Sequence, residues 1–104
     1  MTVARTRRPS ALRHLQAFCV AARHRSFKVA ADELCLTPSA VSHQMKVLEV
    51  NLGVRLFERK TRALDLTRAG AALLDDVAPL LRAIDQRVSQ IVLRLSPAER
   101  TPGP

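Results

Sequence analysis

Ser39, Ser42, His43 and Lys46 are the residues of this chain best equipped for chemistry. On a helix they fall on one side, because residues three and four apart are neighbours there. Two hydroxyls, an imidazole and an ammonium supply donors and positive charge, and no carboxylate joins them until Glu49. A solvated helix face usually mixes both signs of charge; this one is arranged to meet an anion. Thr37 and Pro38 stand just before the group. A hydroxyl N-cap followed by proline at the first helical position, where its missing N–H costs nothing, marks a firm helix start. The positive end of that helix favours phosphate. In a DNA major groove, Lys46 would donate to guanine O6/N7 or to phosphate, and His43 would contact either according to its protonation. Ser39 and Ser42 are too short to specify bases alone, but they let the helix seat deeply.

A second basic group follows. Arg59, Lys60 and Arg62 sit in a polar turn between Leu56-Phe57 and the pair Leu64 and Leu66. They suit phosphate or minor-groove contacts, unless one of them pairs with Glu58 or Asp65, which at an exposed site adds little stability. Lys28 is a further phosphate candidate, as are the arginines of the stretch Arg5–Arg8.

The charge is distributed to match. The 104 residues carry a formal net charge of +8. Residues 1–66 hold 12 Lys/Arg against 5 Asp/Glu, whereas residues 67–104 hold 5 against 4. A basic front and a near-neutral back suggest a polyanion-binding module joined to an element with another task; a solvated surface with a basic tail is the plainer alternative. Aromatics are 3% of the chain, so the stacking platforms of single-strand binders have no raw material.

Other functions find little support. The chain contains no Gly-rich phosphate loop, HExxH or GxSxG. His14, His24 and His43 lie on separate elements with no carboxylate at metal-ligand spacing, and Asp75-Asp76 read as solvated. No catalytic residue, metal or cofactor is expected. Cys19 and Cys35 lack a CxxC or ligand spacing and read as buried structural thiols. No run of about 18 apolar residues exists to span a membrane. The N-terminus has no apolar segment of the signal-peptide kind. A reducing cytoplasm fits these features.

The elements that must hold the reading face follow from caps and periodicity. Residues 1–9 read as a disordered basic arm. Ser10 caps a helix over 11–23 with Leu12, Leu15, Phe18, Cys19 and Ala22 inward. Ser26 caps a second helix, whose Ala30-Ala31 pair lets a neighbouring backbone approach closely. The chain turns at Cys35-Leu36, with Leu36 plugging the junction. The third helix turns Val41, Met45, Leu48 and Leu52 inward and stops at Gly53, a left-handed cap. Together these predict a mainly α fold: a winged helix-turn-helix over 10–67, of three helices and a two-stranded wing, with the helix-turn-helix at 27–46. A two-stranded hairpin alone is marginal and needs that helical core.

Thr67 caps a long helix over 68–95, and residues 96–104 read as a disordered tail. The apolar stripe Leu73, Val77, Leu80 or Leu81, Ile84, Val88, Ile91 and Leu95 recurs at close to the straight-helix period. Such a helix is about 42 Å long, too long for the preceding domain to cover. It must bury its face on another copy or another domain, which predicts a linker and dimerisation helix. Pro79 should kink it or loosen one turn.

Taken together, SFKVAADEL at Ser26–Leu34, SAVSHQ at Ser39–Gln44, LE at Leu48-Glu49, LGVRLFER at Leu52–Arg59 and LTRAG at Leu66–Gly70 resemble the N-terminal winged helix-turn-helix of LysR-type transcriptional regulators. LTPSAVSHQ is closest to the glycine-cleavage-activator-like branch. The resemblance covers about residues 11–95. It implies a double-stranded-DNA-binding bacterial regulator, cytoplasmic and nucleoid-associated, working as a homodimer or higher oligomer through its long helices. It also implies a small-molecule-binding effector domain after that helix, which these residues do not include. Many members carry Gln where Pro38 stands and Arg where His43 stands, so the family's base-reading side chains are not all present. The competing expectation is a truncated interaction protein that heterodimerises with a full-length relative and interferes with it.

Overall fold

The computed structural model describes residues 8–61, 63–95 and 98. Its elements run α1 (Arg8–His24), α2 (Phe27–Leu34), α3 (Pro38–Leu52), β1 (Phe57–Lys60), β2 (Ala63–Leu66) and α4 (Arg68–Arg94). This is a mainly α winged helix-turn-helix followed by a long helix.

Three hydroxyl caps set the helix starts. Ser26 Oγ accepts from Val29 N–H at 3.1 Å and Thr37 Oγ1 from Ala40 N–H at 3.1 Å. Thr67 Oγ1 accepts from Gly70 N–H at 3.0 Å and donates to Arg55 O at 2.6 Å, so it also ties α4 to the segment before the wing. The expected start after Ser10 moves to an earlier residue. α1 begins at Arg8, and Ser10 lies inside it. Proline is tolerated in a helix's first turn, so Pro9 does not delay the start. The basic arm therefore loses Arg8 and Pro9 to α1, and the rest of it lies outside the described residues, as does most of the 96–104 tail.

α2 ends in a Schellman arrangement. Leu36 N–H donates to Ala31 O at 2.9 Å, and Cys35 N–H donates to Asp32 O at 3.3 Å. Cys35 takes the left-handed conformation, φ 59°, that this cap requires. That geometry turns its side chain outward, so Cys35 is exposed rather than a buried thiol, and Cys19 is half-buried. Leu36 also departs from expectation: it is 39% exposed and plugs nothing, because it enters the cap through its backbone. Gly53 ends α3 at φ 75°, donating to Glu49 O at 2.8 Å.

The core joins all three N-terminal helices to the base of the wing. Its buried members are Ala17, Phe18, Ala21, Ala22, Ala30, Ala31, Val41, Met45, Leu48, Leu56 and Phe57. Alanines fill the α1–α2 seam and let the helices close up. They also shift the inward face of α1 onto Ala17 and Ala21, leaving Leu12 47% exposed. Leu52, at the last turn of α3, is likewise 43% exposed. Phe57 anchors the wing: its ring lies 5.5 Å from that of Phe18 and 5.3 Å, edge-on, from that of Phe27. Such ring pairs contribute about 0.5–1.5 kcal/mol each beyond their burial. β1 and β2 pair antiparallel with Phe57 opposite Leu66 and Lys60 opposite Ala63.

α4 continues helical through Pro79. Leu73 and Leu74 pack against the core and α4 still borders α1 as far as Leu81, after which the helix runs out of domain to cover. The molecule consequently measures 51 × 37 × 23 Å. Leu80, Ile84, Val88 and Ile91 are each about half exposed or more, while Val77 and Leu81 are half-buried.

Candidate nucleic-acid interface

The inward positions of α3 fix its outer face. With Val41, Met45 and Leu48 buried, Ser39, His43 and Lys46 are exposed and Ser42 is half-buried beside them. Thr37 and Pro38 are exposed at the helix start. The amides there are mostly spoken for: Pro38 has none, Thr37 Oγ1 takes that of Ala40, and Thr37 O takes that of Val41 at 3.1 Å. Among the described residues this leaves the Ser39 N–H open. The helix end thus offers an anion one amide and the Ser39 hydroxyl.

Glu49, the carboxylate that closes this face in sequence, is not part of it. Its Oε2 accepts from the N–H groups of Leu56 at 2.7 Å and Phe57 at 3.2 Å. The outer face of α3 is therefore free of carboxylate along its length, and Glu49 pins the wing to the end of α3. The sequence offered only a weak signal for this, a lone acid at the edge of an acid-poor face.

Gly70 is a second residue whose role spacing alone did not show. A Cβ there would collide with the carbonyl oxygen of Leu56 and lie 3.1 Å from Leu66 Cδ2. That carbonyl also accepts from Thr67 N–H at 3.0 Å. Glycine lets α4 start flush against the wing base.

The wing cations have different fates. Lys60 Nζ lies 3.1 Å from Asp65 Oδ2, and Arg25 Nη1 lies 3.1 Å from Asp65 Oδ1. Two cations thus offset the like-charge pairing of Glu58 opposite Asp65. The Asp65 carboxyl is held below its ordinary range, first by the Lys60 hydrogen bond and charge. Arg59, though exposed, folds back across the surface toward α3, with its guanidinium 5.1 Å from the centre of the Phe27 ring and Nη2 donating to Ser42 Oγ at 2.9 Å. Arg62 lies outside the described residues. Lys28 is exposed on α2.

Behind the reading face sits His14, on α1. Its Nδ1 is shut off from solvent and has no hydrogen-bond partner among the described residues. Burial lowers its pKa first, and Arg13 and then His43 lower it further. The described residues include no group of three His, Cys, Asp or Glu placed to hold a metal ion, and no helix among them is long and apolar enough to cross a membrane.

Residues 12–71 match the family model for bacterial regulatory helix-turn-helix proteins of the lysR family. The chain belongs to that family. It is a LysR-type DNA-binding helix-turn-helix of transcription regulation, not an enzyme. The glycine cleavage system transcriptional activator homolog of Haemophilus influenzae is 47% identical over 81 residues, 78% of this chain and 27% of its own length. This LysR-type chain thus spans about a quarter of the length of such relatives. Among solved structures, the DNA-binding domain of BenM in complex with benA site 1 DNA superposes with TM-score 0.71 at 38% identity, covering 77% of this chain and 90% of that one. The DNA-binding domain of CbnR in its DNA complex gives TM-score 0.68 at 32% identity, covering 78% and 93%.

Proposed function

We propose that this LysR-type chain binds double-stranded DNA sequence-selectively as a homodimer, in the bacterial cytoplasm, with α3 in the major groove. The observation that carries this reading is the outer face of α3. It is exposed, it bears Ser39, Ser42, His43 and Lys46, and it is cleared of carboxylate by the inward turn of Glu49. Thr37 caps the helix and Pro38 begins it, so the Ser39 amide and hydroxyl meet a phosphate at its mouth. Lys46 and His43 then reach base edges or backbone deeper in the groove. Lys28, Lys60 and Arg62 supply flanking phosphate or minor-groove contacts. The BenM and CbnR domains, each solved in complex with DNA, support a DNA-binding reading for this scaffold.

The dimer reading rests on α4. Leu80, Ile84, Val88 and Ile91 form an exposed apolar stripe. Val77, Leu81 and Leu73 continue it toward the domain. A second α4 covers that stripe and presents two readers to two half-sites. The same stripe would also accept the long helix of a full-length relative, the basis of an interfering heterodimer.

Selection of duplexes from a random pool, followed by affinity measurements at several salt concentrations, tests the proposal. One preferred motif should emerge, and binding should weaken steeply with salt. Lys46→Ala should weaken it further. Retention of random duplexes with no enriched motif would overturn sequence selectivity.

A further inference from the structure

We infer that Arg59 is a positioning residue for Ser42 and not one of the wing's phosphate contacts; this rests on the DNA-binding reading above. Three observations converge. The guanidinium lies over the face of Phe27, and Phe27 is itself locked edge-on against the buried Phe57. Arg59 Nη2 donates to Ser42 Oγ at 2.9 Å, bridging from β1 to α3 across 17 positions of sequence. Arg59 also stands in β1 opposite Leu64, which packs on the core, so its backbone is held as well as its head group. A planar, delocalised cation suits this double task of stacking and aimed donation, which an ammonium does not reproduce.

The chemical consequence falls on Ser42. A hydroxyl has one proton and two lone pairs. Arg59 occupies one lone pair and places a full positive charge beside the oxygen. The Ser42 proton has no acceptor among the described residues. Ser42 therefore faces the groove as a polarised donor and selects an acceptor there: a phosphate oxygen, or a base acceptor such as guanine O6 or N7, adenine N7 or thymine O4. It disfavours the amino groups of adenine and cytosine, which would bring a second donor to an oxygen already facing a cation. The wing thereby sets the chemistry of the recognition helix without touching DNA at that point.

The test uses the full chain and a duplex it has itself selected from a random pool. Affinities are measured for wild type, Ser42→Ala, Arg59→Gln, Arg59→Lys and the Ser42→Ala/Arg59→Gln double variant across a salt series, with thermal unfolding of each variant alongside. Each single variant should lose about tenfold in affinity, the scale of one hydrogen bond to a charged group. The double variant should lose no more than either single one. Arg59→Lys should not rescue, and the salt slope should stay at the wild-type value. If Arg59 instead contacts phosphate, the Gln variant loses about 0.9 from the slope, Arg59→Lys restores affinity, and the effects multiply; that result overturns the brace while leaving DNA binding intact. A chain that selects no duplex overturns both.

Discussion

Glu49 shows how a residue can be conspicuous in sequence and still be misread. As the only acid of α3 it looks like the limit of an anion-binding face, yet its carboxylate is spent on the amides of Leu56 and Phe57. Both of those residues are buried, so their amides lose an acceptor that nothing else among the described residues supplies. Glu49→Ala should cost roughly 1–3 kcal/mol in urea unfolding, and Glu49→Gln, which keeps an acceptor oxygen, should cost less. Equal losses for the two variants would show that charge, not acceptance, is what matters there. His14 makes a pH prediction of definite sign. Its folded pKa lies below the ordinary 6.5, first through burial and then through Arg13 and His43. The folded state therefore binds fewer protons than the unfolded one, and stability falls as pH drops from 6.5 through the folded value. Glu33 acts in a lower window. Hydrogen bonds from His24 and then Arg23 lower its pKa from the ordinary 4.5, so its contribution is present above 4.5 and is lost as pH falls through the folded value. His14→Leu should flatten the stability profile just below pH 6.5 and leave the acidic limb unchanged. A profile that keeps its upper slope would remove His14 as the cause.

Between elements, the junctions carry more information than the elements do. The caps at Ser26, Thr37 and Thr67 were legible because a hydroxyl before an apolar period states its role locally. The Ala30-Ala31 seam was legible for a similar reason: two adjacent methyl-sized side chains just before a turn leave room for a neighbouring helix to come close. What stayed hidden depends on contacts between distant residues. Leu36 looked like a plug because it is apolar, but the Schellman cap fixes its backbone and leaves its side chain outside. Cys35 looked buried from its apolar neighbours, but its left-handed backbone faces it outward. Gly70 gave no sequence clue beyond its place in LTRAG, because the carbonyl it must clear belongs to Leu56. Gly70→Ala should push α4 off the wing base and cost about 1–3 kcal/mol, the usual scale of overpacking. Denaturant unfolding would show this as a lower midpoint at unchanged slope, and an unshifted midpoint would mean that the close approach relaxes freely. On the reading face, Lys46, His43 and Ser39 stand exposed as their spacing required. Arg59 could not be separated from the other wing cations in sequence, since only the fold lays it over Phe27.

For the whole molecule, the decisive quantity is the surface that α4 leaves uncovered. Its first turns pack on the domain through Leu73 and Leu74; beyond them Leu80, Ile84, Val88 and Ile91 are 64%, 49%, 55% and 54% exposed. Burying apolar area of this kind contributes about 25 cal/mol per Å², so a helix that leaves four such side chains in water gains by pairing. None of the four belongs to the domain core, so charges placed among them should spare the fold. In the double variant Ile84→Glu/Val88→Glu, each chain would meet carboxylates where its partner's apolar stripe should lie. The mass in sedimentation should fall from that of a dimer to that of one 11.5 kDa chain while the thermal unfolding of the helix-turn-helix persists. Affinity for a two-half-site duplex should then drop by on the order of 100-fold, as linked binding reverts to independent binding. Affinity for a single half-site should hold, because α3 and the wing are unchanged. If the variant keeps its dimer mass, the stripe is not the interface. If it turns monomeric but loses no affinity for the paired site, one reader suffices and the two-reader arrangement is wrong.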